Sequence, residues 1–182
     1  MLLCGVAAVL GCAKPQATVS ARAEEQASFA EQAEAVRRGE ADAIRSDQET
    51  IDDGDLEQLD GLEDLLRRVN LSKTNISDEG LARLASMHKL IQLRLASDRV
   101  SDEGLKHVAK MKELRHLHLI DAPITDQGLE HLCSLDKLES LYLDRTGATD
   151  AGAAGLQEGL PGVHLHVDGG HPRGTSSDEA AP

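Results

Sequence analysis

The chain has 182 residues, with 19 basic and 32 acidic side chains and a formal net charge of −13. Its aromatic residues are Phe29 and Tyr142, and it has no Trp. This length suits one modest domain with tails. The acidity and the shortage of rings speak against nucleic acid as a partner, because phosphates need a basic face and single strands need stacking platforms.

The charge is uneven. Residues 1–66 carry 5 basic and 15 acidic side chains, whereas residues 67–168 carry 13 and 15. A strongly negative average therefore describes the N-terminal third and not the middle of the chain.

In chain order, Met1–Gly11 is uncharged and apolar and is too short for a spanning helix, which needs ~20 residues. It reads as the apolar region of a signal peptide, residues 1–11. Its end, Val9-Leu10-Gly11-Cys12, resembles the bacterial lipobox. That resemblance implies acylation of Cys12, a membrane contact through the lipid, and a cell-envelope location. The outer membrane is favoured because Ala13 follows the Cys. The departure is that no Lys or Arg precedes the apolar run. The competing reading is a short buried or frayed N-terminus in a cytoplasmic adaptor. On the lipoprotein reading Cys4 is removed, Cys12 is acylated and Cys133 is left alone, so no internal disulfide forms.

Residues 12–50 are rich in Ala, Glu, Gln and Arg, with Phe29, Val36 and Ile44 far apart. They read as a solvated, partly helical tether, the rival being a helix that packs through Phe29 and Val36. Residues 51–66 read as a capping half-repeat. Asp52 to Asp64 holds seven acidic residues and no basic one, with Leu56, Leu59, Leu62 and Leu65 at every third position. Asp52-Asp53-Gly54-Asp55 lacks the ligand spacing of a calcium loop, and Asp55 is expected to cap a helix.

A 24-residue period then runs without a gap. Ile76, Val100, Ile124 and Ala148 align, as do Asp78, Asp102, Asp126 and Asp150, and Gly80, Gly104, Gly128 and Gly152. The inward pairs Val69/Leu71, Leu93/Leu95, Leu117/Leu119, Leu141/Leu143 and Leu165/Val167 keep the same register. Leu90-x-x-Leu93-x-Leu95-x-x-Asp98-x-Val100 resembles the leucine-rich repeat, and the Ser/Thr-Asp-x-Gly-Leu continuation resembles its bacterial T-x-I-T-D-x-G-L variant. The resemblance implies an α/β solenoid over residues 67–168, with a parallel concave sheet of five strands and helices on the convex side. Ser77, Ser101, Thr125 and Thr149 are placed to cap those helices. The slot that the family fills with Asn holds Thr74, Asp98, Ala122 and Thr146. Ala122 has no side-chain hydrogen bond to offer there, so its repeat is expected to be the loosest. Residues 169–182, rich in Gly, Pro, Ser and Asp, read as a disordered tail.

Alternation turns the middle residue of each strand outward. Arg94, His116, His118, Tyr142, Asp144, His164 and His166 are thereby expected on the concave side, as the candidate surface for a protein or peptide ligand. His116/His118 and His164/His166 could each chelate a metal from one strand. The pairs lie two strands apart, ~10 Å, and a zinc site wants three or four ligands, so no metal or other cofactor is expected. The recurrent Asp column is explained by helix starts rather than by catalysis, Cys133 reads as a small core thiol, and no phosphate loop or nucleophile elbow is present. The expectation is a non-enzymatic interaction module.

Overall fold

The computed structural model describes residues 27–48 and 50–168. Six parallel strands lie side by side in chain order: β1 (Ala43–Ser46), β2 (Arg68–Leu71), β3 (Gln92–Ala96), β4 (His116–Ile120), β5 (Ser140–Asp144) and β6 (His164–Val167). Helices alternate with them: α1 (Phe29–Arg37), α2 (Asp78–Leu84), α3 (Asp102–Val108), α4 (Asp126–Leu132) and α5 (Asp150–Gly159). From β2 onward each strand pairs with the next at an offset of 24 residues, as in Val69 with Leu93 and Leu93 with Leu117. One coil cannot enclose its own leucines, so neighbouring coils must stack. Stacked this way, Leu93, Leu117 and Leu141 are fully buried, and so are Leu81, Leu105 and Leu132 from the helices. Each such side chain contributes roughly 1.5–3 kcal/mol of burial.

The sheet has a sixth strand because the coil begins earlier than the tether expectation allowed. Phe29, Ala33 and Val36 of α1 are buried against the core, and Ile44 of β1 is inward. Ala43 pairs with Arg68, an offset of 25 rather than 24, and this extra residue displaces the preceding half-repeat by one. Ser28 and Glu31 close α1 with a reciprocal capping box. The Ser28 backbone N–H, and after it the Ser28 hydroxyl, hold the Glu31 carboxyl below the usual carboxylate range. Gln32 then finishes the edge: its Nε2 donates to the carbonyl of Arg45 and its Oε1 accepts from the Arg45 N–H, both at 2.8 Å. A side-chain amide thus occupies the ladder positions that a further strand would take. Residues 28–46 form the first coil and its cap. The remainder of the expected tether, the signal peptide with Cys12, and residues 169–182 lie outside the described residues.

Two details of the cap region also differ. Asp55 does not cap a helix; it opens a 3-10 helix (Asp55–Leu59) behind Gly54, which offers no side chain. The Leu spacing of three ends at Leu62, because Leu65 is 45% exposed and Leu66 is the buried neighbour.

The repeated Asp and Gly are explained together. Ser101 donates its N–H to Asp78 Oδ1 (2.9 Å) and its hydroxyl to Asp78 Oδ2 (2.6 Å), and the same hydroxyl accepts from Glu103 N–H of its own helix. Asp53–Ser77, Asp102–Thr125 and Asp126–Thr149 repeat the pattern. Each Asp therefore stitches its coil to the next, beyond any local capping role. A Cβ at Gly80, Gly104, Gly128 or Gly152 would lie 2.1–2.3 Å from the Oδ1 of the Asp one coil back, so only glycine leaves room for the stitch.

The slot after each strand is filled unevenly. Thr74 is buried and its hydroxyl reaches the Leu71 carbonyl at 3.4 Å. In the next coil Asp98 is exposed, and the buried Ser97 bonds across coils instead, donating to the Ile76 carbonyl at 2.6 Å. Ala122 is buried as a core residue.

Candidate functional site

The concave face is built by default: wherever a strand turns two leucines inward, the residue between them must face out. The register aligns these residues into rows. The central row runs Arg45, Asn70, Arg94, His118, Tyr142, His166, and the row before it runs Ala43, Arg68, Gln92, His116, Ser140, His164. Asp144 stands at the C-terminal end of β5, beside Ile120 of β4.

All seven candidate residues are on this side, and several of them touch. The Tyr142 ring stacks on His166, with centroids 4.4 Å apart and planes 5° from parallel. His166 meets His164 edge-on at 4.6 Å, and Tyr142 lies tilted against His118 at 5.3 Å. His118 Nε2 bonds Asp144 Oδ2 at 2.7 Å, which fixes its ring. His116 Nδ1 shares a 2.9 Å hydrogen bond with Ser140 Oγ. Tyr142 is 37% exposed, and only Leu65 shares that distinction among the large apolar side chains described.

Arg94 differs from these. Its Nε is shielded from solvent and has no hydrogen-bond partner among the described residues. Arg45 was missed by sequence reasoning, which began the sheet one strand too late. The signal was available: shifting Ala43-Ile44-Arg45-Ser46 by one residue against the 24-residue period lays it on Arg68-Val69-Asn70-Leu71.

Two chemical readings of the face can be weighed from geometry. For metal, no group of three or more His, Cys, Asp or Glu side chains converges among the described residues. The row register sets Tyr142 between His118 and His166. For nucleophilic catalysis, Ser140, His116 and Glu139 stand in a suggestive order. The His116–Glu139 approach is 3.9 Å, however, and Glu139 is already paired to Arg115 at 2.5 Å. All of this sits on an open sheet face. Cys133 is half-buried against the core, with its Sγ 3.0 Å from where a Cβ on Gly159 would be.

The rim is tied by ions. The guanidinium of Arg145 holds both oxygens of Asp121, keeping that carboxyl below its usual range, while the Arg145 N–H donates to Asp168 Oδ1 at 2.7 Å. Asp121, Arg145 and Asp168 all take left-handed backbone, φ 58°, 53° and 47°. The chain turns sharply at these points, each just past the end of a strand.

A family model described as Leucine Rich repeat matches residues 65–85, which run from the end of the cap through β2 and α2. The chain folds as a leucine-rich-repeat solenoid. Among solved structures, a leucine-rich-repeat protein of Leptospira interrogans is similar at 18% identity with a TM-score of 0.43, over 61% of this chain and 26% of that one. No match was found among curated proteins. The leucine-rich-repeat solenoid carries its sequence-variable side chains on the concave sheet, and that sheet is where its candidate site lies.

Proposed function

We propose that this chain is a non-enzymatic interaction module that takes a protein or peptide on its concave face. The supporting observation is the joined strip His118–Tyr142–His166, in which the exposed Tyr142 ring is already packed between two half-buried imidazoles, tilted against one and stacked on the other, before any ligand arrives. Side chains ordered in advance lose less freedom on binding, and Tyr and Arg are favoured where binding energy concentrates. Six strands give a face about 24 Å wide, of the order of one side of a standard interface.

The test is a photo-crosslinking residue placed at position 142 and, as a control, at Lys106 on convex α3, in the native host. A protein captured from position 142 and not from position 106, and lost when Arg94→Ala is added, supports the reading. Equal labelling from both positions removes it.

The same reading includes export and a lipid anchor on Cys12. It rests on the apolar run ending in Gly11-Cys12, and several acyl chains would hold the protein durably at a membrane where one would not. Metabolic labelling with a palmitate analogue is expected to mark the wild type and to spare Cys12→Ser. Unlabelled wild type would leave the cytoplasmic adaptor in its place.

A further inference from the structure

We infer that the N-terminal half of the concave face receives an acidic peptide segment, with carboxylates seated on Arg45 and Arg94. This rests on the interaction reading above and names the chemistry of its partner.

The charge pattern of the face is opposite to that of the chain. On a protein of net charge −13, neither the central row nor the row before it holds a single Asp or Glu. The carboxylates on this side stand at the rims. Asp42 is bound to Arg68 at 2.6 Å and Asp144 to His118 at 2.7 Å.

Most arginines of the described residues are engaged: Arg37, Arg38, Arg83, Arg115 and Arg145 all pair with carboxylates. Among the described residues Arg45 and Arg94 make no side-chain hydrogen bond or ion pair, and the Nε of Arg94 is both shielded and unsatisfied there. A buried donor left without an acceptor costs the free protein its desolvation. A ligand carboxylate, which can accept two parallel N–H bonds from a guanidinium, removes that cost.

Spacing favours a peptide. Arg45 and Arg94 lie in one row two strands apart, about 10 Å, and side chains three residues apart on a peptide in the polyproline II conformation share one face about 9 Å apart. Asn70 stands between them. Its Oδ1 is occupied by the Ser72 hydroxyl at 2.7 Å, which leaves its NH2 as a donor for a peptide carbonyl. A segment running on along the row then reaches the Tyr142–His166 stack, where an apolar or aromatic residue fits and a further carboxylate would meet Asp144.

The experiment uses the full chain in non-ionic detergent and fluorescence anisotropy. The probe is a labelled peptide of about eight residues with glutamate at every third position, matched to the width of the sheet. The expected result is binding about tenfold tighter than that of the glutamine counterpart, weakened about tenfold by Arg94→Gln or Arg45→Gln. Arg83→Gln on convex α2 leaves it unchanged, and added salt weakens it. Equal affinity for the glutamate and glutamine peptides overturns the inference, as does equal loss with Arg83→Gln. Tighter binding of an acidic oligosaccharide or a single-stranded oligonucleotide than of the peptide overturns it too. If the peptide fails while a protein is still captured from position 142, the acidic class falls and the interaction reading stands.

Discussion

Around each coil the same repeat behaves in two opposite ways. On the convex side the chemistry is constant: a carboxylate from one coil bonds the Ser or Thr of the next, and a glycine clears its path, in four successive junctions. On the concave side the central row changes at every strand, through Arg45, Asn70, Arg94, His118, Tyr142 and His166. A position that must satisfy its neighbour's backbone has one solution and repeats it. A position that faces water has no such obligation and can be given to a partner. Within one chain, repetition therefore marks what holds the solenoid together, and variation on the open face marks where it can recognise something.

The largest break in this contrast should come from Gly128→Ala. Its Cβ would fall 2.2 Å from Asp102 Oδ1 and 3.0 Å from Asp102 Cγ, so the carboxylate must leave Thr125 or the helices must part. A loss of about 1–3 kcal/mol is expected, although alanine favours helix over glycine by about 1 kcal/mol. Thermal melting checks it, with Tyr142→Ser as the opposite arm. The latter should cost no more than about 1 kcal/mol, for the ring contacts with His118 and His166, since Tyr142 belongs to no stitch, while ligand capture through the face is lost. A Gly128→Ala protein that melts with wild type would mean the stitch is ornamental.

Much of this was readable in the sequence for a physical reason: buried columns repeat because each coil presents the next with the same surface. The inward leucines, the helix starts and the outward strip follow from a period of 24 and from alternation. What escaped reading was whatever depends on one contact between unlike elements. Helix α1 buries Ala33 between Phe29 and Val36, and alanine adds so little to an apolar pattern that Phe29 and Val36 stand far apart in the sequence. Its capping box, Ser28-x-x-Glu31, was the available clue. Gln32 clasping the edge of β1 has no sequence signature, because a glutamine does this only where a strand edge happens to lie beside its helix. Leu65 and Leu66 exchange roles because the 3-10 helix, whose period is three, ends at Leu59; beyond Gly61 the chain turns so that the Leu66 N–H reaches the Leu62 carbonyl, and the buried spacing becomes four. The seven strip residues were placed on the right face, but their pairing was out of reach. The bond between His118 and Asp144 runs diagonally between strands, 26 residues apart, and rows give only direct neighbours.

A smaller effect sharpens the contrast through pH. The Asp126 carboxyl is held below the ordinary aspartate range by the Thr149 N–H first and the Thr149 hydroxyl second, with desolvation opposing. A carboxyl depressed in the folded state favours folding wherever it is ionised in both states, above about pH 4. That contribution is lost as pH falls through the depressed value, because the unfolded chain takes up the proton first. Asp121 and Glu113, held low by Arg145 and Lys137, add to stability with the same sign. The wild type should therefore lose melting temperature progressively below about pH 5, and Asp126→Asn should start lower at neutral pH but fall less steeply. Far-UV circular dichroism melts of both proteins from neutral to acid pH give the two slopes. Parallel curves would show that Asp126 carries none of the acid sensitivity, and that the last junction of the convex ladder holds by apolar packing alone.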